Sequence, residues 1–310
     1  MSKKINTVLG EMDVNDMGET LCHEHVTIMN PAFYMAFKGK WMDLKRVEER
    51  AVELFSKAKD ECGLNTVVDG TPIDLFRDVE LIRSVSKKSG VNFIVSAGIY
   101  YSEELVVRRK SPEVLAEMFT DEYRNGILDT GIKPGILKCA TDKAGVTQVN
   151  ANLLSAIAIT HNETGLPIFA HNENREQTAY QQLKVFKKYG VDLQKLIIGH
   201  CSDTEDTDYL SSLLDDGCYL GFDRIYPSAY ERQAKTIATL ISKGYGDRIL
   251  VSHDFYAYGD TGADRNSFVN PNRDFTTVHK KLLPALKENG ISSCDVRKLT
   301  KDNPVNFFSK

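Results

Sequence analysis

The sequence lacks the features that mark secreted, membrane-embedded or nucleic-acid-binding proteins. Charged or polar residues interrupt every apolar run well before the about 20 residues that a membrane-spanning helix needs. No apolar segment follows the two lysines near the start, so a secretory signal is not expected. The net charge is −4 and no basic block is present, which argues against a protein that binds nucleic acid. These absences predict a cytoplasmic protein whose partner is a small molecule, with no membrane and no nucleic acid involved.

Cysteine is sparse, and the six cysteines lie far apart without a C-x-x-C pair. A dense disulfide framework is therefore not expected, and the thiols are predicted to be reduced and mostly buried. Cys22, Cys139 and Cys201 each stand beside a candidate metal ligand. Two roles stay open for these three residues: thiolate ligation, and apolar packing behind the site.

The 310 residues, of which 42% are hydrophobic, are enough to bury a large core. Short β-rich runs alternate with helical patterns along the whole chain, and residues 44–59 place their apolar side chains on one stripe. Ser111-Pro112 can cap and open another helix, and Gly217 is a typical stop for a helix over 203–216. The eight predicted strands are 21–28, 66–70, 92–101, 135–140, 167–171, 196–200, 219–225 and 249–254.

Eight strand–helix repeats without a linker or a composition shift predict a single (β/α)8 TIM barrel domain over residues 1–310. An open, doubly wound sheet is the alternative for this order of elements. The metal-capable residues favour the barrel, because only a barrel brings the ends of strands 1, 4, 5, 6 and 8 to one mouth. These residues are His23, His25, Lys138, His171, His200 and Asp254.

The types of these residues indicate metal-dependent hydrolysis. His23 and His25 are separated by one residue, so an extended backbone points both rings to one side while Glu24 faces away. Imidazole and carboxylate ligands suit zinc, manganese or cobalt acting as a Lewis acid, and Asp254 could also accept a proton as the nucleophile attacks. Lys138 is costly as an unpaired ammonium in a barrel mouth. Its spacing leaves open an ion pair, a Schiff base or a contact with substrate.

Longer motifs spread nearly end to end resemble those of the phosphotriesterase-like branch of the metal-dependent amidohydrolases, and especially its phosphotriesterase-like lactonases. The motifs are Thr20-Leu21-Cys22-His23-Glu24-His25, Ala97-Gly98-Ile99-Tyr100-Tyr101, Gly135-Ile136-Leu137-Lys138, Ile198-Gly199-His200 with Asp203-Thr204, Gly221-Phe222-Asp223-Arg224, Ser252-His253-Asp254 and Asn303-Pro304-x-x-Phe307-Phe308.

The resemblance implies a hydrolase that opens a lactone ring by attack of a hydroxide bridging two divalent metal ions, with zinc expected and manganese or cobalt as alternatives. In such enzymes the lysine of strand 4 is carboxylated and its carbamate bridges the metals, which would account for Lys138. Tyr100 and Arg224 match positions that line the lactone pocket. The implied ligands are His23, His25 and Asp254 on the more buried metal, His171 and His200 on the more exposed metal, and Lys138 between them.

The loops leave the identity of the substrate open. The polar, glycine-bearing loop 255–274 is typical of a pocket for a compact, hydroxylated or anionic substrate and equally of a solvated loop, so both interpretations stay open. Arg224, Arg265 and Arg273 could together bind a phosphate or carboxylate on such a substrate, for example a sugar lactone or a phosphorylated one. Acyl-homoserine lactones are a further possibility within this class, with organophosphate triester hydrolysis as a side activity. The alternatives are a true phosphotriesterase, an amidase on N-acylated small acids, and a non-catalytic metal-binding barrel, which the filled ligand positions argue against.

The segment 29–37 after strand 1 is rich in aromatic and methionine side chains. It could form the wall of an apolar pocket or the interface of a homodimer, since clusters of this composition often mark interfaces. The interface is the favoured interpretation.

Overall fold

A computed structural model of the chain describes residues 3–101, 103–260 and 274–310. The strands are β1 (Lys4–Thr7), β2 (Gly10–Asp13), β3 (Glu19–Ile28), β4 (Leu64–Asp69), β5 (Asn92–Gly98), β6 (Ile136–Ala140), β7 (Ile168–His171), β8 (Leu196–Ile198), β9 (Tyr219–Phe222), β10 (Ile249–Val251) and β11 (Tyr256–Gly259). The first two form an antiparallel hairpin of their own.

The α-helices are α1 (Pro31–Phe37), α2 (Leu44–Cys62), α3 (Val79–Ser89), α4 (Leu105–Arg109), α5 (Pro112–Asn125), α6 (Gln148–Thr164), α7 (Thr178–Lys188), α8 (Thr207–Asp215), α9 (Tyr230–Ser242), α10 (Leu283–Glu288), α11 (Ser293–Arg297) and α12 (Asn303–Phe308). Short 3₁₀ turns cover Val14–Asp16, Lys38–Lys40, Ile73–Leu75, Asn174–Glu176, Leu193–Lys195, Cys201–Asp203 and Gly246–Arg248, and π-helical turns cover Val278–Leu282 and Lys298–Asp302. Within the described ranges, no helix combines the length and apolar character needed to cross a bilayer.

Strands β3 to β10 lie side by side in chain order and run parallel, which is the arrangement of a (β/α)8 barrel. The last two strands close the sheet into a barrel. Strand β10 pairs with β9, and β11 pairs with β3, where Tyr256 lies opposite His25. The chain between β10 and β11 therefore bridges the last strand and the first. The predicted fold is confirmed, and all eight predicted runs overlap β3 to β10.

The structure corrects two boundaries of the sequence prediction and adds one strand. The predicted strand 249–254 ends at Val251, and the chain returns to the sheet as β11, which was not predicted. The predicted helix 203–216 begins only at Thr207, because Asp206 caps it by accepting hydrogen bonds from the Asp208 and Tyr209 N–H groups. Ser111 and Pro112 open α5 as expected.

The core has two parts, one inside the barrel and one between the strands and the helices. Cys22 and Phe169 belong to the inner part, and Cys139 and Cys201 to the outer part. Burial raises the pKa of the Cys139 thiol to about 12 and that of Cys201 well above its usual value. These cysteines are free thiols surrounded by apolar side chains, which favours packing over ligation.

Candidate metal centre

The six predicted ligands converge at the mouth of the barrel. His23 and His25 lie within β3, Lys138 within β6 and His171 at the end of β7, while His200 and Asp254 follow β8 and β10. His200 is not among the residues that line the cavity, but its ring contacts His171, which is. A cavity of about 360 Å³ at this mouth is lined by His23, His25, Ile28, Leu75, Tyr100, Lys138, His171, Arg224, Tyr226, Asp254 and Tyr256.

On the buried side of the site, two histidines and a carboxylate face one point. His25 Nε2 lies 3.1 Å from Asp254 Oδ1, and His23 Nε2 lies 3.5 Å from the same oxygen. These three residues offer ligand atoms within 4.8 Å of one another and could hold a metal ion. Burial and the nearby Lys138 lower the pKa of His23 to about 3, so its ring is neutral and keeps a lone pair for coordination.

The second pair of histidines lies at the same cavity, which His171 lines and beside which His200 contacts His171. His200 Nε2 is in direct contact with His171 Nδ1, and the Tyr100 hydroxyl lies 3.0 Å from that Nδ1 atom. Burial, together with the neighbouring His200, holds the pKa of His171 well below its usual value. Imidazole nitrogens are a ligand type that divalent metals take in proteins, so these two rings remain candidate ligands.

Lys138 is only 1% exposed and has few partners for an ammonium group. Its Nζ lies 2.9 Å from His23 Nε2 and 4.1 Å from the centre of the Phe169 ring. It forms no ion pair with a carboxylate in the part of the chain that the structure describes. Burial lowers its pKa to about 8. The ion-pair role that the sequence left open therefore gains no support, and a buried amine whose lowered pKa makes it easier to modify fits the site better.

Arg224 covers the exposed side of Asp254. Its Nε donates to Asp254 Oδ2 at 2.9 Å, and its Nη1 donates to Asp203 Oδ2 at 2.6 Å. Burial would raise the pKa of Asp254, but His23, His25 and Arg224 are among the groups that outweigh it and hold this pKa well below its usual range. The guanidinium thus pairs with these two carboxylates and not with its neighbour Asp223.

Asp223 is a member of the site that the sequence interpretation missed. Its Oδ2 lies 2.8 Å from His23 Nδ1, and its Oδ1 accepts from the His200 N–H at 2.7 Å and lies 3.0 Å from His200 Nδ1. With each Nδ1 carrying its proton toward Asp223, both Nε2 atoms are left as acceptors facing the cavity. Asp223, His23 and His200 also form a possible ligand group, but these contacts assign Asp223 to orienting the two rings.

Replacing Asp223 with asparagine is expected to weaken metal binding by about 10- to 100-fold. The amide would direct its NH2 group at one Nδ1, and that ring would have to move its proton to Nε2 and lose its lone pair toward the cavity. Competition with a chromophoric chelator measures the affinity. Asp69→Asn is the matched control, because among the described residues the buried Asp69 carboxylate accepts hydrogen bonds from the backbone N–H groups of Val26 and Thr71 and from no histidine ring. Equal affinities for wild type and Asp223→Asn would refute the orienting role.

Two sequence predictions concern loops around the mouth. Arg265 and Arg273 lie outside the described residues. In the segment after β3, helix α1 buries none of its side chains, and Phe33, Met35 and Phe37 are exposed by about half or more. These three residues do not line the cavity of the site. The segment is therefore a surface and not a pocket wall.

A (β/α)8 barrel that gathers four histidines, an aspartate and a buried lysine at its mouth defines a metal-dependent hydrolase. Residues 3–308 match the sequence model of the Phosphotriesterase family, and the chain belongs to this family.

Three relatives illustrate the range of this similarity. A solved structure of the phosphotriesterase from Mycobacterium tuberculosis has a TM-score of 0.92 and 32% identity, with 99% of this chain and 98% of that chain covered. An aryldialkylphosphatase from Saccharolobus solfataricus is 30% identical over 96% of this chain and 97% of its own length. An N-acetyltaurine hydrolase from Tetraodon nigroviridis is 26% identical over 100% of this chain and 99% of its own length.

Proposed function

We propose that the protein is a binuclear metal-dependent lactonase. The observation that carries this proposal is the convergence of imidazole nitrogens, the Asp254 carboxylate and the Lys138 amine on one cavity at the barrel mouth. A lactone is a cyclic ester, and opening it requires a polarised carbonyl, a nucleophilic water and a group that takes the released proton.

The residues fit a pair of divalent ions, for which zinc is the first candidate and manganese and cobalt the others. His23, His25 and Asp254 would hold the more buried ion, and His171 and His200 the more exposed one. Carbamylated Lys138 would lie between them, since a buried amine without a carboxylate partner can become an anionic ligand on reaction with carbon dioxide. When bound, the ions polarise the substrate carbonyl and lower the pKa of a water.

Proton transfer and substrate binding would be performed by side chains of the protein. Asp254 stays ionised and accepts the proton that the nucleophile releases on attack. The Tyr100 hydroxyl and the Arg224 guanidinium reach the cavity from opposite sides and would bind and orient the substrate. Arg224 can exchange part of its contact with Asp203 for a contact with an oxygen of the substrate.

The cavity supports a compact substrate. Its volume of about 360 Å³ lies near the lower end of the usual range for ligand sites, about 300–1,000 Å³. Ile28 and Leu75 are its only aliphatic lining residues among those described, whereas Tyr100, Tyr226 and Tyr256 offer hydroxyl groups. Sugar lactones and phosphorylated sugar lactones fit this lining better than an acyl-homoserine lactone with a long chain. Weak triester hydrolysis is in keeping with the similarity to an aryldialkylphosphatase.

Hydrolysis of an amide is the second candidate. The similarity to an N-acetyltaurine hydrolase extends over the whole chain, and the same nucleophile would attack the carbonyl of an N-acylated small acid. Arg224 would then bind the acid group. A true phosphotriesterase is the third candidate, on the grounds of the family alone.

The test is a hydrolysis screen of the metal-loaded protein with a pH indicator, against sugar lactones, phosphorylated sugar lactones, acyl-homoserine lactones, N-acyl amino acids and an aryl dialkyl phosphate. We expect the highest kcat/KM on a compact lactone and a much lower value on the phosphate triester. Negligible rates on every lactone beside a clear rate on an N-acyl acid would replace the lactonase with the amidase.

We also propose that residues 1–310 form one hydrolase domain, which acts as a cytoplasmic homodimer. The exposed Phe33, Met35 and Phe37 of α1 support the dimer, because solvent-facing aromatic and methionine side chains are enriched at interfaces. A monomeric mass in sedimentation equilibrium would exclude the dimer, and two separate unfolding transitions would exclude the single domain.

A further inference from the structure

Asp254 has a left-handed backbone, with φ of 49°, which is uncommon for a residue other than glycine. Such a conformation persists only where its surroundings hold it, and it is frequent at functional sites. Asp254 lies between β10 and β11. Two backbone hydrogen bonds tie this segment to β3: the Asp254 N–H donates to His23 O at 3.1 Å, and the His25 N–H donates to Phe255 O at 2.9 Å. These two bonds leave the N–H groups of His253 and Phe255 to other partners.

Glu24 supplies the missing contacts on both sides of Asp254. Its Oε1 accepts from the His253 N–H at 2.8 Å, and its Oε2 accepts from the Phe255 N–H at 3.1 Å. The His253 ring adds a third contact, because Nδ1 lies 2.6 Å from the same Oε1. Glu24 is 0% exposed, so no solvent competes for these hydrogen bonds.

The position of Glu24 in β3 explains how one side chain can accept hydrogen bonds from the residues on both sides of Asp254. Its neighbours His23 and His25 point into the cavity, and strand alternation turns Glu24 to the other side, where the segment after β10 passes. The Glu24 side chain thus adds to the two backbone hydrogen bonds between β3 and this segment at the closure of the barrel. Only a carboxylate offers two acceptor oxygens for the three converging N–H donors.

We propose that Glu24 is a positioning residue for the metal centre: it fixes the left-handed backbone between His253 and Phe255 and thereby aims the Asp254 carboxylate at the point that His23 and His25 face. This inference rests on the proposed function, in which these three residues bind the buried metal. It assigns a site role to a residue that touches neither the cavity nor a ligand atom.

The test replaces Glu24 with glutamine, which keeps the shape but has one acceptor oxygen. Its NH2 group must then face an N–H group on one side of Asp254. Two control variants separate positioning from stability. His253→Asn removes the ring that also accepts the Val278 N–H at 3.0 Å, but it leaves both backbone hydrogen bonds to Glu24. Glu122→Gln makes the same chemical change at a carboxylate that pairs with Arg77 outside the mouth.

Metal affinity is measured on metal-free protein by titrating zinc against a chromophoric chelator, and unfolding of the metal-free protein is followed separately. We expect Glu24→Gln to bind zinc about 10- to 100-fold more weakly at one site, whereas both controls stay within about threefold of wild type even where they unfold at lower temperature. In steady-state kinetics, kcat of Glu24→Gln should fall while KM changes by less than about threefold.

Zinc affinity of Glu24→Gln equal to that of both controls would overturn the inference, whatever happens to stability. Should Glu24→Gln not fold, Glu24→Asp takes its place; it keeps the charge but is one methylene shorter, so it cannot hold both N–H groups and should show the same loss. A wild-type chain that binds no zinc would remove the proposed function and the inference together. Two zinc ions bound equally by wild type and Glu24→Gln would remove the inference alone.

Discussion

Replacing Lys138 with methionine is expected to abolish tight binding of two metals and hydrolysis together. Methionine keeps the length and volume of the buried side chain on Phe169 but has no amine, so it can form no carbamate. The chain should still fold, because an uncompensated polar group is exchanged for an apolar one in a buried position. Metal content after dialysis and kcat on the best substrate from the screen are the two readouts.

The control for this substitution is the same change at an exposed lysine. Lys143→Met, in the loop after β6, should retain both metals and full activity. Retention of two tightly bound ions and full activity in Lys138→Met would show that the lysine is not a bridging ligand, and the binuclear centre would have to be rebuilt from the histidines and Asp254. A loss of activity with both metals retained would instead assign Lys138 a contact with the substrate.

Replacing Asp254 with asparagine is expected to lower kcat by about 10²- to 10⁴-fold, the usual range for loss of a general base. The amide keeps the shape of the side chain, but it cannot take the proton of the nucleophile and is a weaker metal ligand. Arg224 would also lose one of its two carboxylate partners, since its Nε donates to Asp254 Oδ2 at 2.9 Å. A pre-steady-state measurement with fully loaded protein separates the loss of chemistry from the loss of metal.

Asp203→Asn is the matched variant for this measurement, because the Asp203 carboxylate pairs with the same guanidinium, while its backbone N–H, which donates to His200 O at 3.0 Å, is unchanged by the substitution. It should keep its metals and change KM more than kcat, as expected for a residue that acts through substrate binding. If Asp254→Asn retained wild-type kcat, Asp254 could be neither the proton acceptor nor an essential ligand.

Much of the fold and the reactive side chains of the site could be predicted from the sequence. Eight apolar runs of strand length separated by helical patterns are a strong signal, and the metal-capable residues stand near the ends of these runs. The missed strands carry no such signal. Strands β1 and β2 have four residues each and mixed burial, and β11 belongs to a polar stretch that becomes a strand only because β3 lies beside it.

The orienting residues were harder to recognise than the ligands. Asp223 and Glu24 each stand next to a more conspicuous residue, and nothing in the local sequence says what their carboxylates contact. The partners of Asp223 are 23 and 200 residues away, and the backbone partners of Glu24 are about 230 residues away. Such contacts depend on how the barrel closes. A useful signal for future sequences is a carboxylate directly beside a ligand in a strand, where alternation turns it away from the cavity.

The closure of the barrel also sets the order in which the site can be completed during synthesis. His23 and His25 leave the ribosome early, but Asp254 and the backbone that meets Glu24 follow some 229 residues later. Until then one edge of β3 has no partner strand, and the proposed buried metal site lacks its carboxylate. The last part of the barrel therefore completes both the sheet and the proposed set of His23, His25 and Asp254. Under the proposed function, a chain truncated before residue 254 would have neither the closed sheet nor the third ligand.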